Sequence, residues 1–97
     1  MKKFELARRA LGDLQEIWEF VSEDSFTAAD RLLEEFYSMF RQLAEMPGMG
    51  HKREDLTDRK VLFRALHSYL IVYKNSQPLR IVRIIHAKRD VKKLLGR

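Results

Sequence analysis

The chain has 97 residues, 19 Lys+Arg against 14 Asp+Glu and a formal net charge of +5. That is the size of one domain, residues 1–97, able to bury roughly 60–70% of its unfolded surface in a core. The absence of cysteine excludes disulfides and thiolate metal sites. No apolar run reaches the roughly 20 residues that cross a bilayer, and Glu5, Arg8, Arg9 and Asp13 interrupt any export signal behind the opening lysines. No membrane association is therefore expected, and a reducing, cytoplasmic location is.

Lys3–Leu6 reads as a short strand. Ala7–Val21 reads as a helix: Ala7, Ala10, Leu11, Leu14, Ile17, Trp18 and Val21 fall in an arc of roughly 120° at about 100° per residue. Phe20 lies outside that arc, so it is either covered by the following loop or free for a partner. A second helix is expected from Thr27, with Asp24 as an alternative cap. It stops near Glu45, because Pro47 disfavours helix in the residue before it. Its apolar residues, among them Leu32, Leu33, Phe36, Tyr37, Met39, Phe40 and Leu43, span about 180° of the wheel. That exceeds the roughly 100° needed for one core contact. The excess serves the first helix and a sheet together, or leaves a strip for a partner.

The segment PGMGHKREDLTD from Pro47 reads as a loop. Strands are predicted over Val61–Leu66, Tyr69–Lys74 and Leu79–His86, with turns at Ala65–Ser68 and at Asn75–Pro78. Strict alternation puts Leu79, Ile81, Arg83 and Ile85 on one side of the last strand and Arg80, Val82, Ile84 and His86 on the other. Neither side is polar throughout, so this strand is expected to be central. Arg83 interrupts an apolar row and must reach solvent, an ion pair or a ligand. A short terminal helix is predicted over Val91–Gly96. The order β-α-α-β-β-β predicts an α+β fold: an antiparallel sheet, a helical hairpin packed on one face, and the other face open.

The charge is divided along the chain. Residues 1–58 hold 8 Lys/Arg and 13 Asp/Glu, net −5, whereas residues 59–97 hold 11 Lys/Arg and only Asp90, net +10. Either the two halves attract each other within the fold, or the basic half meets an anionic partner.

No phosphate-binding loop, dinucleotide fingerprint or serine- or zinc-hydrolase motif is present. His51, His67 and His86 lack metal-ligand spacing, so neither a metal nor another cofactor is expected. Any catalysis would draw on Arg64, His67, Tyr69, Arg83, His86, Arg89 or Lys92. His86 can act as a general acid or base, or as a structural clamp at a strand end. Lys88, Arg89, Lys92 and Lys93 can meet phosphates, or simply be a solvated helix face. Tyr69 and Tyr73 share one side of their strand, for base stacking or for core packing.

Four motifs in order resemble the RelE/ParE superfamily of toxins from toxin–antitoxin operons. They are DLQEIWEFV in the first helix; Leu43, Pro47 and Gly50 after the second; Ser68, Tyr69, Ile71 and Tyr73 in the hairpin; and Val82, His86, Arg89 and Asp90 at the end. RelE-like members cut messenger RNA on the ribosome with lysines, arginines and a tyrosine. An ungapped match places Val61, Phe63, Leu70 and Leu95 at four of those positions and retains only Arg89. Apolar side chains cannot transfer protons or stabilise a pentavalent phosphate. The resemblance thus implies the ParE branch, whose members poison DNA gyrase and are neutralised by a ParD-like antitoxin, with no catalytic residues. It implies that the antitoxin wraps the helical hairpin and adds to the sheet, and that operator DNA is met only through the antitoxin. Candidate target contacts are Arg64, Arg83, His86, Lys88, Arg89, Asp90, Lys92 and Lys93. Candidate antitoxin contacts are Trp18, Phe20, Leu32, Tyr37, Met39, Val61 and Phe63. The rival readings are a ribosome-dependent RNA endonuclease, and a degenerate toxin that only binds its antitoxin.

Overall fold

The computed structural model describes residues 3–95. A short strand, β1 (Phe4–Leu6), leads into two long helices, α1 (Arg8–Ser22) and α2 (Phe26–Glu45). A single 3₁₀ turn at Pro47–Met49 and a loop follow. Three strands, β2 (Leu62–Leu66), β3 (Tyr69–Lys74) and β4 (Leu79–His86), and a short helix, α3 (Val91–Leu94), complete the described chain. The expected α+β architecture is observed, and the long elements lie within a residue or two of their predicted bounds. Gly96, expected at the end of the last helix, lies outside the described residues.

Ser25 caps α2, its hydroxyl accepting the Ala28 N–H at 3.1 Å. Thr27 and Asp24, the two predicted caps, lie on either side of it. Asp90 caps α3 by accepting the Lys93 N–H at 3.2 Å.

The sheet has the order β1-β4-β3-β2. β4 is central, as its two mixed faces predict. The sheet is not wholly antiparallel: β1 pairs with β4 in parallel, Phe4 opposite Leu79 and Leu6 opposite Ile81. A three-residue strand contains no signal for its direction, because alternation sets only which face a residue occupies.

A β-bulge breaks the predicted alternation of β4. Val72 faces Arg83 and Tyr73 faces Ile81, so Val82 has no partner of its own. Leu79, Ile81 and Ile84 join the main core, while Ile85 belongs to a second cluster against which Val82 packs. The bulge thus places Arg80, Val82, Arg83 and Ile85 on the same face.

The main core lies between the helical hairpin and the sheet. Ala10, Leu14, Phe36, Phe40 and Leu43 from the helices meet Ile71, Tyr73, Leu79, Ile81 and Ile84 from the strands. Burial of each large side chain contributes about 1.5–3 kcal/mol. The other face, expected to be open, is covered. Val61, Phe63, Val72 and Ile85 pack with Val91 and Leu95, and with the half-buried Leu56 and Leu94. The sequence shows apolar residues on both faces of β4. Only the fold shows that the chain's own end returns to cover the second face.

Tyr73 joins the 3₁₀ turn to the sheet. Its hydroxyl donates to the Pro47 carbonyl at 2.6 Å and accepts the Gly50 N–H at 2.9 Å. A Cβ on Gly50 would lie 2.4 Å from that hydroxyl and 2.9 Å from the Phe63 carbonyl oxygen. This close approach, rather than a left-handed backbone, is why position 50 requires glycine. Three residues of two sequence motifs, Pro47, Gly50 and Tyr73, therefore make one structural joint.

Candidate functional site: an apolar groove and a basic edge

The outer side of the helical hairpin carries a groove of about 310 Å³, lined by Leu11, Leu14, Gln15, Trp18, Leu33 and Tyr37. Two amphipathic helices generate it. The apolar face of α2 is too wide for the sheet alone, and part of it opens outward beside α1. The Trp18 ring stacks on Phe26, centroids 5.8 Å apart, and its Nε1 donates to Asp30 at 2.9 Å. That pair fixes an aromatic wall. Phe20, Phe26, Met46 and Leu11 are 70%, 68%, 63% and 50% exposed, respectively. Of these, Leu11 lines the groove and Phe26 stacks on its Trp18 wall, whereas Phe20 and Met46 are not among its lining residues.

Among the candidate antitoxin contacts, Trp18 and Tyr37 line this groove. Phe20 is free rather than covered by the loop. Leu32 and Met39 are half-buried and pack against the main core. Val61 and Phe63 require correction. They are 4% and 2% exposed, sealed beneath α3 and the loop before β2. The outer edge of β2 is also closed at Phe63, whose N–H and C=O both bond to His51 at 2.8 Å. Sequence reasoning missed Leu11, Gln15, Leu33 and Phe26. The sequence places Leu11 in the buried arc of α1 and marks Leu33 only through the excess width of the α2 face; for Gln15 and Phe26 it holds no signal.

The candidate target contacts do not form one patch. Lys88, Arg89, Lys92 and Lys93 are exposed along the turn after β4 and along α3. They form the basic edge. Asp90 lies among them, and its carboxylate caps α3. His86 is a clamp: its ring meets Tyr69 edge-on at 5.2 Å, and its Nδ1 accepts the Lys88 N–H at 3.1 Å. Tyr69 itself packs against the main core.

Arg83 and Arg64 leave the target set. Arg83 is 8% exposed and grips Asp13 of α1 through two bonds, Nε at 2.9 Å and Nη2 at 3.1 Å. Asp13 also accepts the Ile84 backbone N–H at 2.8 Å, on the edge of β4 beyond the end of β1. One carboxylate thus satisfies both the buried cation and a strand N–H. The paired carboxylate holds the Arg83 pKa above its ordinary value, against the opposing effect of burial. Arg64 shares its side of β2 with Leu62 and Leu66, which pack against the main core, so it points to the helical face, away from the basic edge. Its Nε is buried without a partner.

Among the described residues, no cluster of His, Asp and Glu is arranged to hold a metal, and no helix is long and apolar enough to cross a membrane.

This architecture, a helical hairpin on a four-stranded sheet with a groove along the hairpin and a basic edge after the last strand, matches the toxins of type II toxin–antitoxin modules. The profile for "ParE toxin of type II toxin-antitoxin system, parDE" matches residues 4–91, and the chain belongs to that family. It is 33% identical over 101 residues to Toxin ParE1 of Caulobacter vibrioides, covering 99% of this chain and 100% of that one. It superimposes with a TM-score of 0.72 on a chain of the chromosomal ParDE TA system from P. aeruginosa. That match covers 88% of this chain and 95% of the other at 17% identity, a likeness of fold.

Proposed function

We propose that this toxin inhibits DNA gyrase by binding rather than by catalysis, and that a ParD-like antitoxin neutralises it in the cytoplasm. The observation that carries the reading is the filled second face of the sheet. Val61, Phe63 and Leu95, at three positions where ribonuclease relatives carry catalytic groups, are each at most 4% exposed and pack together. An apolar plug at that place supports protein binding over phosphoryl chemistry. The basic edge, Lys88, Arg89, Lys92 and Lys93, stands ready beside it as the target contact.

The hairpin groove is the antitoxin site in this reading. An amphipathic helix would set its anchors between α1 and α2, against Leu11, Trp18, Leu33 and Tyr37. An acidic continuation of that partner would meet the basic half of the toxin.

A supercoiling assay with purified gyrase, run beside a cell-free translation assay, tests the activity. Inhibited supercoiling with intact message supports the proposal. Cleaved message would establish an endonuclease instead. Failure of both, with tight antitoxin binding, would leave a toxin that has lost its activity.

A further inference from the structure

A third feature lies on the second face of the sheet, towards the β3–β4 turn. A hollow of about 290 Å³ is lined by Arg9, Arg59, Lys74, Arg80 and Arg83, and no acidic side chain lines it. The β-bulge builds it, because strict alternation would have sent Arg83 into the main core beside Ile81. Two of the five cations are neutralised from outside the hollow: Arg80 by Glu5 at 3.1 Å and Arg83 by Asp13 at 2.9 Å. Arg59 Nη1 donates to the Leu95 carbonyl at 3.2 Å, a neutral partner. Arg9 and Lys74 have no carboxylate partner among the described residues. Three of the five cations, Arg9, Arg59 and Lys74, are thus in no ion pair among the described residues, and all three border one small space.

The size of the hollow selects the ligand. One carboxylate would leave most of the charge uncompensated, and several carboxylates converging in so small a volume would repel one another. A phosphoryl group brings about −1.5 to −2 charges at neutral pH on three acceptor oxygens within a single small group. Arginine forks match such an oxyanion better than any other side chain. A neighbouring hollow of about 920 Å³ shares Arg59 and Lys74 but also contains Glu54 and Asp58. Its mixed signs do not select an anion, but it offers room for the remainder of a phosphate-bearing molecule.

We infer that this pocket binds a phosphate dianion, either free or as the terminal phosphoryl group of a larger molecule. The site is independent of the hairpin groove and of the α3 basic edge, so it stands or falls apart from the gyrase reading.

The test is calorimetric titration of the purified chain at constant ionic strength with inorganic phosphate, adenosine monophosphate and acetate. Phosphate should bind saturably at one site at pH 7.5, and acetate should not. Affinity should fall at pH 5.5, where the monoanion dominates. The double variant Arg9→Ala/Lys74→Ala should weaken phosphate binding about tenfold or more. Both side chains are exposed and outside the described ion pairs, so its thermal melt in chloride should match that of the parent. Tighter binding of the nucleotide than of phosphate would identify a phosphate-bearing molecule as the ligand; equal binding would identify free phosphate. Equal binding of acetate, unchanged affinity in the double variant, or no saturable binding would each overturn the inference.

Discussion

At the scale of single residues, two polar contacts hold parts of the fold that hydrophobic burial alone would leave loose. The Tyr73 hydroxyl is the first. Tyr73→Phe strips the Gly50 N–H and Pro47 carbonyl of their partner, and should cost about 1–3 kcal/mol in denaturant unfolding. Gly50→Ala should cost at least as much, because its Cβ would meet the Phe63 carbonyl oxygen, which is backbone and cannot swing away. Burial raises the Tyr73 pKa, only partly offset by the Gly50 N–H and the nearby Arg64 charge. The neutral phenol is the form the fold prefers, so its contribution is whole below the ordinary tyrosine value of about 10. It is lost as pH rises beyond that value through the folded pKa. Unfolding curves of the parent between pH 8 and 11 should show a decline that Tyr73→Phe lacks. Asp13 is the second contact. Asp13→Ala leaves Arg83 charged in a nearly closed site and should cost about 3–5 kcal/mol, whereas Asp13→Ala/Arg83→Met should recover much of that loss. A double variant no more stable than the single one would refute the view that the uncompensated charge is the problem.

At the scale of elements, the helical hairpin and α3 have opposite tasks. The hairpin leaves apolar surface exposed, and α3 removes it from the sheet. Changing a groove wall should therefore affect binding without affecting the fold. Leu11→Arg, at a half-exposed position lining the groove, should weaken antitoxin binding by about 1–3 kcal/mol with an unchanged thermal melt. Undiminished binding in that variant would move the antitoxin elsewhere. For α3 the expectation is reversed along its two sides. Val91→Asp should unfold the second cluster, since Val91 is 5% exposed. Charge reversal at Arg89 and Lys92 should leave the melt intact and reduce growth inhibition in cells. A soluble double reversal with full toxicity would count against the basic edge as the target contact.

At the scale of the whole molecule, charge and fold are arranged together. The acidic half of the chain contains both long helices, and the basic half contains β2–β4 and α3. The contacts between the halves include the ion pairs Asp13–Arg83 and Glu5–Arg80 and the pair His67–Glu35. The net +10 of residues 59–97 exceeds what these pairs offset. Association with an acidic partner should therefore slow as salt rises, with a smaller change in the dissociation rate. Equal on-rates at low and high ionic strength would argue against electrostatic steering. Much of this was legible from the sequence. The 3.6 and 2.0 periods revealed the α+β order and the central strand, and four short motifs pointed to the toxin family, because each depends on local spacing. The candidate site was legible only in part: the basic run after β4 and the wide face of α2 were visible, while Leu11 and Phe26 were not recognised as exposed. Tertiary structure decided the rest. It set β1 parallel, inserted the bulge at Val82, turned Arg83 onto Asp13, and folded α3 over Val61 and Phe63. Each of those outcomes depends on contacts between residues far apart in the chain, whereas periodicity shows which residues seek burial but not what will bury them.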